Sequence, residues 1–424
     1  MFKKTELPNG IRVVSEFHPH SRSVAMGIWV LSGTRDETPD VAGVSHFLEH
    51  LVFKGTKNRS AFQIAKSLEE VGGELNAYTT REHTVYHALV LKDHWRTSLD
   101  VLADLVSHMR MRKSDFETER SVILQEIGMT DDDLEDLAYD CFFEQLFPKH
   151  PLGRPILGNL RSIGQMKMQD VLDSYKESYS ADRLIVAAAG CVDHQELVES
   201  VQKLLGHKKN NRRFHARRLK NRSRPVPQVF RRCLEKKSEQ LHLLMGFPVG
   251  SMRDKNRFEA YIINALLGGG MTSRIYQSVR EKKGLVYSVY SMLNTFHDFG
   301  CINIYAACEN SNMKDVHRTI LREINRLKNG KLKESEVELY KTQVKGAILL
   351  GADDMENRMS SIGVNEMVFG EYRPVESIIA EIDKVTVKSV REFVRKYVDV
   401  SKTSVLVMGD GAKDLQQELE EVVL

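Results

Sequence analysis

No stretch of this chain approaches the ~18 to 20 consecutive apolar residues that a membrane-spanning helix needs. The longest candidate, Leu184 to Val192, is interrupted by Gly190 and reads as a buried strand. The opening residues, MFKKTELPNGIRVV, place no apolar segment behind their two lysines, which argues against a secretory signal. Cysteine is scarce: Cys141, Cys191, Cys233, Cys301 and Cys308 are odd in number and form no CxxC pair. They read as scattered reduced thiols of a cytoplasmic protein. An excess of one charge is also missing, the formal net charge being +3.

That balance hides one asymmetry. Nine Lys or Arg and no acid lie between Lys208 and Arg224, leaving 52 basic against 58 acidic residues elsewhere. The basic stretch has no aromatic ladder beside it, so neither it nor the pI points to nucleic acid. It is polar and ends in Pro225 and Pro227, so it reads as a linker over 208–228.

With 42% hydrophobic residues, the 424-residue chain can bury real cores. Its length suggests two domains of roughly 200 residues. The halves flanking the linker, 1–207 and 229–424, are built alike. MGIWVLSGTRDE (26–37) is matched by MGFPVGSMRDK (245–255), each a short apolar strand running into an Arg-Asp turn. SHFLEHLVFKG (45–55) is matched by AYIINALLGGG (260–270), and each half later carries a long charged helix, from Lys113 and from Lys333. SVAMGIWV, TVYHALVL, QLHLLMGF and CINIYAAC read as strands; Ala61 to Val71, Trp95 to Arg110 and Lys314 to Lys328 read as helices. Alternating strands and helices in both halves predict two duplicated domains with helices packed on sheets.

The stretch VSHFLEHLVFKGT (44–56) carries the chemistry. On a helix, positions i and i+4 lie about 40° apart, so His46 and His50 project from one face. Glu49 sits at the edge of the same wedge. Zinc takes imidazole nitrogens and keeps one position open for water, and a carboxylate beside that water can take its proton. The composition would produce only about 0.04 such H-x-x-E-H matches by chance. Phe47, Leu48, Leu51, Val52 and Phe53 predict a buried helix, in which two histidines and a glutamate need partners. The helix from Ser114 carries Glu119 and Glu126, two turns apart on one face. From pattern alone, metal binding, support of a ligand and an ion-paired surface helix all stay open for these two. At matching places the second half has Tyr261, Asn264, Ala265, Tyr340 and Ala347, so every one of these groups is confined to the first half.

With these motifs the chain resembles the pitrilysin and insulin-degrading (inverzincin) family of zinc peptidases. It is most similar to the short-chain branch that includes mitochondrial processing peptidase and bacterial processing proteases. The resemblance covers nearly the whole chain. It implies an α+β fold, an α/β sandwich of two homologous metallohydrolase-like domains. Each is a mainly antiparallel sheet covered by helices, in a clamshell arrangement. It implies one zinc ion per chain on His46, His50 and Glu126, with Glu49 as general base and Glu119 supporting the site. GGELNAYTTREHTVY (72–86) resembles the substrate-binding edge strand, where Asn76 and Ala77 would pair with an extended peptide. LLGGGMTSRIYQSVREKKGLVYSVYS (266–291) resembles the second domain's signature, with Gly268, Gly269 and Gly270 as its glycine loop. Arg280 and Tyr287 match a pair that stabilises the oxyanion. Both motifs on one chain imply a homodimer. The activity implied is a metalloendopeptidase cutting unfolded or presequence-like peptides; the alternative within this fold is a non-catalytic structural or peptide-binding protein.

Overall fold

The computed structural model describes residues 1–211 and 224–421. They form two compact units that are not contiguous in sequence. The first gathers 1–129, 154–211 and 350–373; the second gathers 130–153, 224–349 and 374–421. Each half of the chain thus contributes a segment to the unit built mainly by the other, a feature that contiguous domains of 1–207 and 229–424 do not include. Most of the basic linker lies outside the described residues. Its first residues belong to the first unit, where Lys208 Nζ donates to Val106 O at 3.0 Å.

The first unit is a six-stranded sheet of β1 (Phe2–Glu6), β2 (Arg12–Phe17), β3 (Ser23–Val30), β4 (Glu74–Thr79), β5 (Thr84–Leu91) and β6 (Leu184–Gly190), in the order β1-β2-β6-β3-β5-β4. Only β2 and β6 run parallel. The second unit is a five-stranded sheet of β7 (Arg231–Glu235), β8 (Leu241–Val249), β9 (Ser288–Thr295), β10 (Gly300–Cys308) and β11 (Ser404–Gly409), in the order β7-β11-β8-β10-β9. Its one parallel pair is β7 with β11. Without β1 the sheets match strand for strand, β2-β6-β3-β5-β4 against β7-β11-β8-β10-β9. The fold is α+β, with duplicated, mainly antiparallel sheets.

Both sheets are covered on two faces, so their central strands are apolar over most of their length. In β6, Val186 and Ala188 face one core, while Ile185, Ala187 and Ala189 face the other. The first core packs α1 (Val44–Phe53), α2 (Ala61–Glu69) and α3 (Trp95–Ser107) on the sheet. Behind these elements runs α4 (Lys113–Asp132), which buries Phe116, Glu119, Ile123 and Ile127.

The opposite face takes the helix Met355–Val368, which comes from the second half of the sequence. Glycine makes this approach possible. A Cβ on Gly27 would come within 2.6 Å of Met359 Sδ, and one on Gly363 within 2.5 Å of the Trp29 ring. A buried Glu16–Arg358 ion pair ties the helix to β2. In the second unit α5 (Leu134–Leu146), from the first half, occupies the same place. A Cβ on Gly246 would lie 2.6 Å from Phe142.

Candidate metal centre

The site is built on α1. Its start is held by Glu37, whose two carboxylate oxygens accept from Gly43 N and Ser45 N, each at 2.7 Å. Gly43 stands at φ +91°, where a side chain would be strained. Val44, Phe47, Leu48, Leu51 and Val52 anchor the helix in the core. The other side, with His46, Glu49 and His50, is only half-buried, so the expected buried helix is buried on all but its polar wedge.

Glu126 of α4 faces that wedge. Its Oε2 lies 3.9 Å from His46 Nε2 and 3.5 Å from His50 Nε2. Bonds of ~2.0 to 2.2 Å in a tetrahedron put neighbouring ligand atoms about 3.4 Å apart, so the spacing suits zinc. Glu126 Oε2 is buried with no hydrogen-bond partner. Burial, helped by the neighbouring His50, pushes the His46 imidazole down to about 3, so it is neutral and offers a lone pair. The residues present therefore fit a zinc ion. Among the described residues, His46, His50 and Glu126 are the one group of three or more His, Cys, Asp or Glu whose ligating atoms cluster this way, all within 4.8 Å.

Glu119 stands beside this set and does not join it. One oxygen is 3.1 Å from His50 Nδ1, and the other is 2.8 Å from Lys54 Nζ. At 1% exposure, Glu119 depends on these partners. A carboxylate on the far ring nitrogen fixes the tautomer that leaves Nε2 free for a metal. Lys54 was not among the residues singled out above; its place one turn after His50 was the available signal.

Glu49 accepts a hydrogen bond from Thr79 Oγ1 of β4. Burial holds the Glu49 carboxyl above its usual range, against the Thr79 hydrogen bond and the nearby His50, which lower it. Asn76 and Ala77 lie on the same strand, at the open edge of the sheet. There Asn76 Oδ1 covers Ala77 N at 2.8 Å.

The remaining candidates belong to the second unit. Arg280 closes a π-helical turn, Tyr276–Glu281, and its guanidinium lies 6.0 Å from the Tyr287 ring. The two are therefore neighbours. Tyr287 is 78% exposed. Gly268 is buried, and a Cβ there would meet Ser291 N of β9 at 2.5 Å; Gly270 faces open space.

Sequence comparison matches the chain in two parts. Insulinase (peptidase family M16) matches residues 12–160, and the peptidase M16 inactive domain matches residues 165–344. An uncharacterized zinc protease of Mycobacterium tuberculosis is 38% identical over 99% of this chain and 96% of its own. The uncharacterized zinc protease YmxG of Bacillus subtilis is 33% identical over 93% and 95%. Among solved structures, a protease from Helicobacter pylori superposes with a TM-score of 0.87 at 20% identity, covering 96% of this chain and 99% of that one. A peptidase M16 inactive domain from Pseudomonas fluorescens superposes with a TM-score of 0.85 at 17% identity, over 97% and 98%. Among the described residues no helix is long and apolar enough to cross a membrane. Matched along nearly its full length by named zinc proteases, the chain belongs to peptidase family M16.

Proposed function

We propose that this protein is a zinc-dependent endopeptidase acting on extended, unfolded or presequence-like peptides. The observation that carries the reading is the convergence of His46, His50 and Glu126 with Glu49 on the same helix face. One zinc ion per chain, held by those three residues, would supply Lewis acidity and a water acidic enough to ionise near neutral pH. Glu49 takes a proton from the attacking water and passes it to the departing amine. Glu119 and Lys54 keep His50 in its ligating tautomer. The open edge of β4 accepts the substrate as an added strand through Asn76 and Ala77, which suits extended chain of varied sequence. From the family resemblance we assign Arg280 and Tyr287 to stabilising the developing oxyanion and the glycine loop Gly268 to Gly270 to substrate binding. Both signatures on one chain support a homodimeric processing peptidase, and we place it in the cytoplasm.

The test is digestion of a mixed peptide pool by zinc-loaded and chelated protein, with the cut sites read by mass spectrometry. Cleavage is expected only with metal. Glu49→Gln should keep its zinc and lose about 10²- to 10⁴-fold in turnover. A Glu49→Gln protein cutting at the parent rate would remove the general base, and with it the reading.

A further inference from the structure

We propose that Thr79, backed by Thr84, is the positioning residue for Glu49. The inference rests on Glu49 being the general base. Thr79 is the last residue of β4, and with Leu75 and Ala77 it lies on the strand face turned inward. Its Oγ1 donates to Glu49 Oε2 and lies 3.3 Å from Thr84 Oγ1. Thr84 Oγ1, 2% exposed at residue level, donates to Ser32 O at 3.2 Å. The hydroxyl chain therefore ends on a carbonyl, which can only accept.

That end sets the direction of the whole chain. Thr84 commits its proton to Ser32 O and keeps its oxygen as an acceptor. Thr79 then has one proton and two possible acceptors. Facing a carboxylate, it gives the proton to Glu49, because the charge-assisted bond is the stronger, and the 3.3 Å contact with Thr84 becomes a hydrogen bond only after Glu49 is protonated. Once Glu49 has taken a proton, Thr79 can accept from it and turn its own proton to Thr84. No heavy atom moves in either state; a hydroxyl rotates. A glutamate has three side-chain torsions, and an unheld carboxylate spends little time aimed at a reacting water. The same strand offers its outer edge to the peptide. Thr79 thus ties the aim of the base to the strand on which the substrate docks.

The test uses zinc-loaded full-length protein and an internally quenched mixed-sequence peptide pool. Thr79→Val should lower kcat about 10- to 100-fold with KM unchanged within about twofold. Its zinc affinity, measured against a chromogenic chelator, and its melting temperature should match the parent. Thr79→Ser should restore most of the rate, and Thr84→Val should lower kcat severalfold. A crystal structure of Thr79→Val should show the Glu49 carboxylate displaced. Parent kcat in Thr79→Val, with Glu49→Gln inactive, overturns this inference and leaves the peptidase reading standing. Parent rates in Glu49→Gln overturn the reading itself. Loss of zinc in Thr79→Val shows a merely structural role and also overturns the inference. Should Thr79→Val fold poorly, Thr84→Val decides: an unchanged kcat there refutes the hydroxyl chain, and a severalfold loss supports it.

Discussion

Glu37 offers a sharp physical test, because burial and hydrogen bonding oppose each other on one side chain. Its carboxylate accepts from two backbone N–H groups at the start of α1, which favours the charged form. Burial opposes this and wins, pushing the carboxyl from its ordinary value of 4.5 up to about 7. The sign follows from linkage. Between about pH 4.5 and 7 the folded protein holds a proton that the unfolded chain has released. This stabilisation is complete below about 4.5, is lost as pH rises through about 7, and does not change further. A shift of this size corresponds to about 3 kcal/mol. Glu37→Gln has no such proton, so its stability relative to the parent should change by about that amount across the window. The assay is urea unfolding of metal-free full-length protein near pH 5 and near pH 8, with the variant alongside to cancel every other titrating group. The chain has two tryptophans, Trp29 and Trp95, both in the first unit, so fluorescence reports the unit that holds Glu37. Parent and variant curves that stay parallel within about 1 kcal/mol would refute the argument.

Two further outcomes follow from buried charges. Lys54→Met leaves Glu119 with His50 alone and should weaken zinc binding about 10- to 100-fold in a chelator competition, with Lys54→Arg recovering part of it. Arg358→Met leaves Glu16, beneath the helix Met355–Val368, only its longer contacts to His18 Nε2 at 3.3 Å and Tyr372 Oη at 3.4 Å, and should cost about 3 to 5 kcal/mol in the same fluorescence assay. Glu16→Leu combined with Arg358→Met should recover most of that loss, since replacing a whole buried pair is far cheaper than breaking it.

What could be read in advance was set by local rules. SVAMGIWV and TVYHALVL are β3 and β5 residue for residue, because an alternating or continuous apolar run bounded by turns has few other solutions. His46 and His50 were legible because four-residue spacing on a helix is geometry, not context. Glu126 needed the family resemblance, since its distance from His50 is a property of the fold. The destinations of α5 and the helix Met355–Val368 were not legible. Helical periodicity shows which face of a helix is buried, but not against which sheet. Here the choice follows close fits around Gly27 and Gly246, with partners more than a hundred residues away in sequence. Thr79 was hidden for another reason. A threonine in a strand is ordinary, and only the approach of α1 gives its hydroxyl a task. Glu37, beside an Arg-Asp turn, resembled any surface acid until the start of α1 folded over it.

The duplicated scaffold also supplies a control that needs no second protein. In the second unit the helices Arg257–Gly268 and Glu334–Gly351 stand where α1 and α4 stand in the first. The place of Glu119 is taken by Tyr340, buried, with its hydroxyl donating to Thr272 O at 2.9 Å. The place of His50 is taken by Ala265, in the last turn of its helix, where a Cβ on the capping Gly269 would lie 2.6 Å from its Cα. Near Asn264, which replaces Glu49, Ser291 Oγ donates to the Asn264 carbonyl at 2.8 Å. The second copy thus closes the same frame with neutral side chains and close packing. Folding, then, does not require imidazoles and carboxylates at these positions. Placing them there carries a desolvation cost of several kcal/mol per ion unless a partner offsets it. The first copy places five such side chains there, His46, Glu49, His50, Glu119 and Glu126, and leaves one Glu126 oxygen with no hydrogen-bond donor. On the proposed reading, a cation between His46, His50 and Glu126 would be the partner that offsets this cost, and it would also give Glu49 a reaction to perform.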